Sequence, residues 1–297
     1  MPTRFRRCVE TVATVSGPRP GGGSGRRSGL KPRGPSGRTG SIPVPGTGET
    51  VLMDVDQTEP LYRYPYPSPE LADQHPFVAH EHQRLEDGEM SRRAKAFLAL
   101  VAKRRSVRMF SSDPVPRDLI EVAVAAASTA PSGAHKQPWT FVAISDPRTK
   151  ARICEAAEAE EHTNYLQNRM NAEWQESLAP LGTDHHKEFL EVAPWLVVLF
   201  EQRYELRTDG STRKNYYVKE SVGIAAGLFL TAIHDMGLAA LPHTPSPMAF
   251  LRTLLGRPEN ERPFAMFPVG HPLPGVRVPD LQRKALEEVL IVLERSD

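Results

Sequence analysis

The sequence predicts an α+β or α/β domain in which one sheet lies between layers of helices. Short apolar runs of strand length alternate along the chain with longer segments of helical periodicity. Most of those helical segments carry capping or stop residues at their ends. The length sets a further limit: 297 residues with 39% hydrophobic content suffice for one sizeable core, or for a core shared with a second copy.

From Gly17 to Gly48 the chain is Gly, Pro, Ser and Arg with little to bury, so residues 1–52 are expected to be a disordered tail. The first 48 residues hold nine Lys or Arg against the single acid Glu10, although the whole chain carries only +1. A transit peptide or a nucleic-acid-binding arm has this composition. The plainer reading is translation from an upstream start codon, with Met53 the true beginning. Residues 53–90 are expected to form an extended arm, because 60–82 carry five prolines among Tyr and Phe side chains. Such an arm suits a dimer.

Ser91 can cap a helix running through Arg104, with Phe97, Leu98 and Val101 on one apolar face. A second helix is expected at about 116–128, then a buried strand from Trp139 to Ser145. Asp146 and Pro147 supply an N-cap and a first-turn proline for a helix through Glu161. Pro194 to Glu201 reads as a second buried strand, Tyr217 to Met236 as a long apolar helix, and Leu238 to Leu241 and Phe264 to Val269 as further strands. Between those last two, Ser246 and Pro247 open a helix that Gly256 closes. Gly223, Ala225, Ala226 and Gly227 make the long helix either a dimer seam or an ordinary central helix.

Only Cys8 and Cys154 are present, so no disulfide framework or thiolate metal cluster can be built, and a reducing cytoplasm is expected. No run of 18 apolar residues exists and no secretory signal is visible, which predicts a soluble chain without a membrane partner. The glycines at 21–25 follow no strand and open no helix, so they are not a dinucleotide fingerprint. His80, His82 and the pair His185 and His186 lack further ligands at metal spacing. No metal and no nucleic-acid partner are expected.

Three constellations could carry chemistry. In Lys103-Arg104-Arg105-Ser106-Val107-Arg108, where a helix ends, guanidiniums and a hydroxyl can converge on one anion, phosphate above all. From charge alone a solvated helix terminus is the simpler reading. Thr129 to His135 (TAPSGAH) has the Pro and Gly of a turn that exposes N–H groups to a flat heteroaromatic or an anionic oxygen, or that merely stops a helix. Glu161 and Tyr165 share a helical face and Lys187 follows, so that acid, phenol and amine could grip an amino-acid zwitterion. Glu155, Glu158, Glu160 and Glu161 equally form an acidic surface of the kind that is usually solvated.

Taken in order, KRRSVR (103–108), TAPSGAH followed by PWTFV (129–142), EEHTNY (160–165), HTP (243–245), PVGHP (268–272) and VPDLQRK (278–284) resemble the iodotyrosine deiodinases. These are a branch of the FMN-dependent nitroreductase superfamily, and the likeness runs from about His75 to Leu286. The resemblance implies a nitroreductase-like fold with a central mixed sheet flanked by helices. It also implies a homodimer of domain-swapped type with extended terminal arms, a catalytic domain over 91–297 and a lid over about 160–187. Arg104, Arg105, Ser106, Val107, Arg108, Pro131, Ser132, Gly133, Pro242, His243, Thr244 and Arg283 become FMN-binding residues. A substrate phenolate would meet the N–H of Ala134 and a zwitterion would be held by Glu161, Tyr165 and Lys187. Thr244 is implied to be catalytic, donating to the flavin N5. Pro242 and His243 depart from a Thr-rich stretch in the vertebrate enzymes, and the loop between Tyr165 and Lys187 is about one residue longer than the family leads one to expect.

The activity implied is FMN-dependent removal of iodine or bromine from halogenated tyrosine, with NAD(P)H or a separate reductase as electron donor. The alternatives are a general NAD(P)H-dependent nitroreductase or quinone reductase of the same fold, and a flavin-containing protein that binds iodotyrosine without turnover. The animal enzymes carry a membrane anchor, so this chain is expected to be a soluble, bacterial-type homologue.

Overall fold

The computed structural model describes residues 66–166 and 171–294. The expected disordered tail, residues 53–65 of the arm and residues 167–170 of the lid lie outside the described residues. Two units cluster separately: Met1–Gln83 with Ala285–Asp297, and Arg84–Lys284.

In the smaller unit, Ser68 caps α1 (Pro69–Gln74), its hydroxyl accepting from the Leu71 N–H at 3.2 Å. The sequence reading expects extended chain here. A capping serine followed by a first-turn proline is what starts a helix, and the two together outweigh the proline content of the segment. At its other end, Glu288 accepts from the Ala285 N–H at 2.7 Å around a 3-10 turn at Leu286–Glu288.

The larger unit contains α2 (Asp87–Ala102), α3 (Arg117–Ala127), β1 (Trp139–Ile144), α4 (Pro147–Leu166), α5 (Ala172–Leu178), α6 (Phe189–Val192), β2 (Trp195–Gln202), β3 (Tyr204–Leu206), β4 (Thr212–Lys214), α7 (Val218–Asp235), β5 (Ala239–Ala240), α8 (Ala249–Leu254) and β6 (Glu261–Gly270). Helix α2 begins before Ser91, its negative first turn supplied by Asp87 and Glu89. Its expected core face stands open, with Phe97 and Leu98 58% and 65% exposed. Helix α4 starts as expected, Asp146 accepting from the Thr149 N–H at 2.8 Å, but it continues past Glu161 to Leu166. Helix α8 is shorter than expected, with Met248 rather than Ser246 at its N-cap.

The main sheet has the order β1-β2-β6-β5 with every pair antiparallel, and a parallel bridge between Ser106 and Ala240 adds the mixed element. Strand β2 explains the layering. Its Val197 and Leu199 pack in one cluster with Ile120 of α3 and Phe229 of α7. Its Leu196, Val198 and Phe200 pack in the other with Ile153 of α4 and Leu251 of α8. A strand buried on both faces reads as an unbroken apolar run. Among the described residues no helix is long and apolar enough to cross a membrane.

Candidate functional site

Helix α2 ends at Ala102 and the chain straightens until Ser106 bridges Ala240, which fixes the direction of the basic run. Arg105 donates to the Pro279 carbonyl, and Arg283 donates to the Arg104 carbonyl at 3.1 Å, so residues 279–283 lie back over 104–105. A cavity of about 300 Å³ opens there, lined by Lys103, Arg104, Arg105, Val107 and the C-terminal part of α7. The Nη1 of Arg104 is buried without a hydrogen-bond partner. Burial, with Arg283 and Arg105 nearby, holds the Arg104 guanidinium below its ordinary pKa. A buried donor left unmatched costs roughly 1–3 kcal/mol, and more when charged. A phosphate is the group that fits this set. The Val107 side chain packs in the core, and Val107 also lines this cavity.

The turn after α3 has positive φ at Ala134, His135 and Gln137 (50°, 53° and 46°). The N–H groups of His135, Lys136 and Gln137 are taken by Ser132 and Gly133 within the turn, and Ser132 spends its hydroxyl on Gln137 at 2.9 Å. The Ala134 N–H makes no such bond among the described residues. Gly133 bridges Tyr216, and a Cβ at this position would meet the Tyr216 carbonyl oxygen at 2.6 Å. Close chain-to-chain approach therefore already requires the glycine. Pro131 is exposed.

The extension of α4 beyond Glu161 brings Tyr165 into the same helix, and the segment before α6 delivers Lys187 to both. Lys187 Nζ lies 3.8 Å from Glu161 Oε2 and 5.5 Å from the Tyr165 ring centre. It donates to Thr183 Oγ1 at 3.2 Å and to the Asp184 carbonyl. Lys187 is 1% exposed and Glu161 9%. Burial dominates both shifts, raising the Glu161 carboxyl and lowering the Lys187 ammonium, each against the pull of its partner. Arg108 joins them: its charge acts on Tyr165 and Lys187, and burial lowers its pKa too. The result is a largely buried cluster of two cations, the Glu161 carboxyl and the Tyr165 phenol, with the Asp184 and Glu158 carboxylates also acting on Lys187. The expected solvated acidic surface is thus divided, with Glu155 outside and Glu161 inside.

His243 closes this cluster from the sheet side. Its main chain pairs with Met266, and its ring meets the Phe189 ring edge-on at 5.5 Å. The Nε2 is buried and unpartnered. Burial, and after it the charges of Lys187 and Arg108, push His243 down to about 3, so the ring is neutral. Pro242 and Thr244 on either side are exposed. Thr244 lines a second cavity of about 570 Å³ with residues 245–249, Arg252 and Arg262, which is not the cavity at Arg104. The basic residues Arg104, Arg105 and Arg283 thus form one group, and Arg108, Glu161, Tyr165, Lys187 and His243 a second; among the described residues no hydrogen bond or ion pair joins the turn at 131–134 or Thr244 to either. Sequence reasoning missed Thr183, Asp184, Cys154 and Glu158 as partners of Lys187: Cys154 and Glu158 lie about 30 residues away on α4, and Thr183 and Asp184, though local, sit in a polar stretch that reads as solvated.

Residues 101–271 match the sequence model of the Nitroreductase family. An iodotyrosine deiodinase of Haliscomenobacter hydrossis is 54% identical over 216 residues, covering 73% of this chain and 97% of that protein. Iodotyrosine deiodinase 1 of Rattus norvegicus is 42% identical over 217 residues, covering 73% of this chain and 76% of its own length. Among solved structures, a crystal structure of oxidized iodotyrosine deiodinase bound to FMN and 3-iodo-L-tyrosine aligns with a TM-score of 0.58 and 28% identity. The alignment covers 68% of this chain and all of that one. A BluB-like flavoprotein from Clostridium difficile, 20% identical over 66% of this chain and 98% of its own, shares the fold with a TM-score of 0.51.

Proposed function

The chain belongs to the nitroreductase family, and from that premise we propose that it is an FMN-dependent oxidoreductase that replaces iodine or bromine on a halogenated tyrosine by hydrogen. The observation that carries the substrate class is the buried meeting of Glu161, Tyr165 and Lys187, an anion, a phenol and a cation matched to a zwitterion.

Arg104, Arg105, Ser106, Arg108 and Arg283 would hold the FMN phosphate and pyrimidine edge, and Pro131, Ser132 and Gly133 would lie against the ring. Bound FMN supplies two electrons which, with one proton, turn a carbon–halogen bond into a carbon–hydrogen bond and a halide ion. The Ala134 N–H receives the phenolate oxygen. Glu161 and Tyr165 take the substrate ammonium, and Lys187 exchanges Thr183 and Asp184 for the substrate carboxylate. The Thr244 hydroxyl would lie beside the flavin N5, where a hydroxyl can donate or accept. NAD(P)H, directly or through a separate reductase, recharges the cofactor.

The separation of the two residue groups in one chain supports a homodimer, as do exposed Phe97 and Leu98 on α2 and Ile224 and Leu228 beside Gly223 and Gly227 on α7. The deciding experiment is anaerobic incubation of the reduced, FMN-loaded protein with 3-iodotyrosine. Stoichiometric iodide and tyrosine are expected. Binding without halide release would leave only a sequestering protein.

A further inference from the structure

One face of α4 runs along the segment 183–193 and engages it bond by bond. Lys150 donates to the carbonyls of Glu191 and Ala193 at 2.8 and 2.7 Å, at the C-terminal end of α6. One turn on, Cys154 donates from Sγ to the Lys187 carbonyl at 3.3 Å. One further turn on, Glu158 Oε1 accepts from the Lys187 N–H at 2.6 Å. Glu161 and Tyr165 then meet the Lys187 side chain itself. These residues fall at helical spacing on a single stripe.

Lys187 is therefore held in two different ways. Its N–H is bonded to α4 alone and its carbonyl to Cys154 of α4 and the Leu190 N–H of α6, whereas its ammonium rests on a hydroxyl and a carbonyl that an incoming carboxylate can replace. We propose that Glu158 is a positioning residue for substrate recognition: its bond to the Lys187 N–H, opposite the Cys154 bond to the Lys187 carbonyl, sets the ammonium against Glu161 at the spacing of an amino-acid zwitterion. This rests on the reading of Glu161, Tyr165 and Lys187 as the zwitterion clamp. Preorganisation of this kind raises affinity because the ordering is done before the ligand arrives.

Two conservative variants separate reach from charge. Glu158→Asp keeps the charge but is one methylene too short for a 2.6 Å contact, and Glu158→Gln keeps the reach without the charge. The FMN-loaded proteins are titrated with 3-iodotyrosine and with 2-iodophenol, which lacks the zwitterion, and the ratio of the two Kd values is read. Glu158→Asp is expected to reduce the preference for 3-iodotyrosine about tenfold, the lower worth of one charged-group hydrogen bond. Glu158→Gln should stay within about threefold on the same scale. In a Lys187→Ala background Glu158→Asp should change the ratio no further. A brace with no part in recognition would weaken both ligands together, and a purely electrostatic role would reverse the order of Asp and Gln. Either result overturns the proposal. Lys187→Ala alone tests the clamp: if it leaves the ratio unchanged, the underlying reading fails, whatever the Glu158 variants do.

Discussion

Arg283 and Arg104 stand 179 residues apart in sequence, and the guanidinium of one donates to the main-chain carbonyl of the other at 3.1 Å. Arg104 and Arg105 line one cavity, Arg283 is close enough for its charge to act on Arg104, and the Arg104 Nη1 has no acceptor. Like charges this close repel, and a doubly charged phosphate converts the repulsion into attraction.

Arg104→Ala and Arg283→Ala are accordingly expected to weaken FMN binding by about ten- to a hundredfold each, one charge-assisted contact being worth roughly 1.5–3 kcal/mol. Arg104→Lys should not restore the loss, since an ammonium lacks the planar fork that meets two phosphate oxygens. Titrating apo-protein with FMN and following the quenching of its fluorescence measures all three. Wild-type affinity in Arg104→Ala would move the phosphate elsewhere.

His243 makes stability depend on pH with a definite sign. In the unfolded chain it titrates near its ordinary value of 6.5, while in the fold burial and the charges of Lys187 and Arg108 hold it at about 3. Between those values the unfolded state binds a proton that the folded state refuses, so stability falls as pH falls through that window. The slope approaches ~1.4 kcal/mol per pH unit for one proton. Urea unfolding at pH 7 and pH 5 should show His243→Gln losing less stability on acidification than the wild type. Parallel losses in the two proteins would show that His243 titrates normally.

What was legible in the sequence follows burial. Strand β2 stands out because a layer between two cores leaves a long apolar run, β1 and α7 because each is apolar along most of its length although β1 is largely half-buried and α7 packs on one core only, and α4 because Asp146 and Pro147 mark its start. The β3–β4 hairpin leaves no such trace: Thr212, Arg213 and Lys214 are exposed and carry no alternation. Phe97 and Leu98 mark an apolar helix face correctly, but a sequence does not say whether the same chain covers it. At the site, the residue types were readable and their partners were not. Lys187 is polar and sits in a polar stretch, so its burial depends on α4, a helix that contributes Glu158 and Glu161 from what reads as a solvated acidic surface.

Gly133 tests the turn that presents Ala134. Its absent Cβ would collide with main-chain atoms of Tyr216, which have no flexible end to move aside. Gly133→Ala should therefore destabilise the protein by about 1–3 kcal/mol, the usual range for overpacking. If the turn is what meets the substrate phenolate, affinity for 2-iodophenol should fall in the same variant. A loss of stability with unchanged phenol affinity would detach the Ala134 N–H from recognition.

The proposed place of Thr244 beside the flavin gives it a role in the reaction rather than in binding. A threonine before a helix is often a cap, but α8 has Met248 at its N-cap, and the Thr244 hydroxyl makes no hydrogen bond to any described residue. Removing it should consequently cost little stability, well under the ~1 kcal/mol typical of a lost cap. A hydroxyl both donates and accepts, so at the flavin N5 it can follow the change from an acceptor nitrogen to an N–H. On the proposed reading that capacity would serve dehalogenation and not the reduction of a nitroaromatic. Thr244→Ala is expected to slow iodide release from 3-iodotyrosine by at least about tenfold, the loss of roughly one hydrogen bond in the rate-limiting step. Nitroaromatic reduction should be retained or enhanced, and Thr244→Ser should recover the wild-type balance. Both rates measured on one preparation decide it: an unchanged ratio in Thr244→Ala removes this hydroxyl from the chemistry, and a falling ratio that serine restores assigns it there.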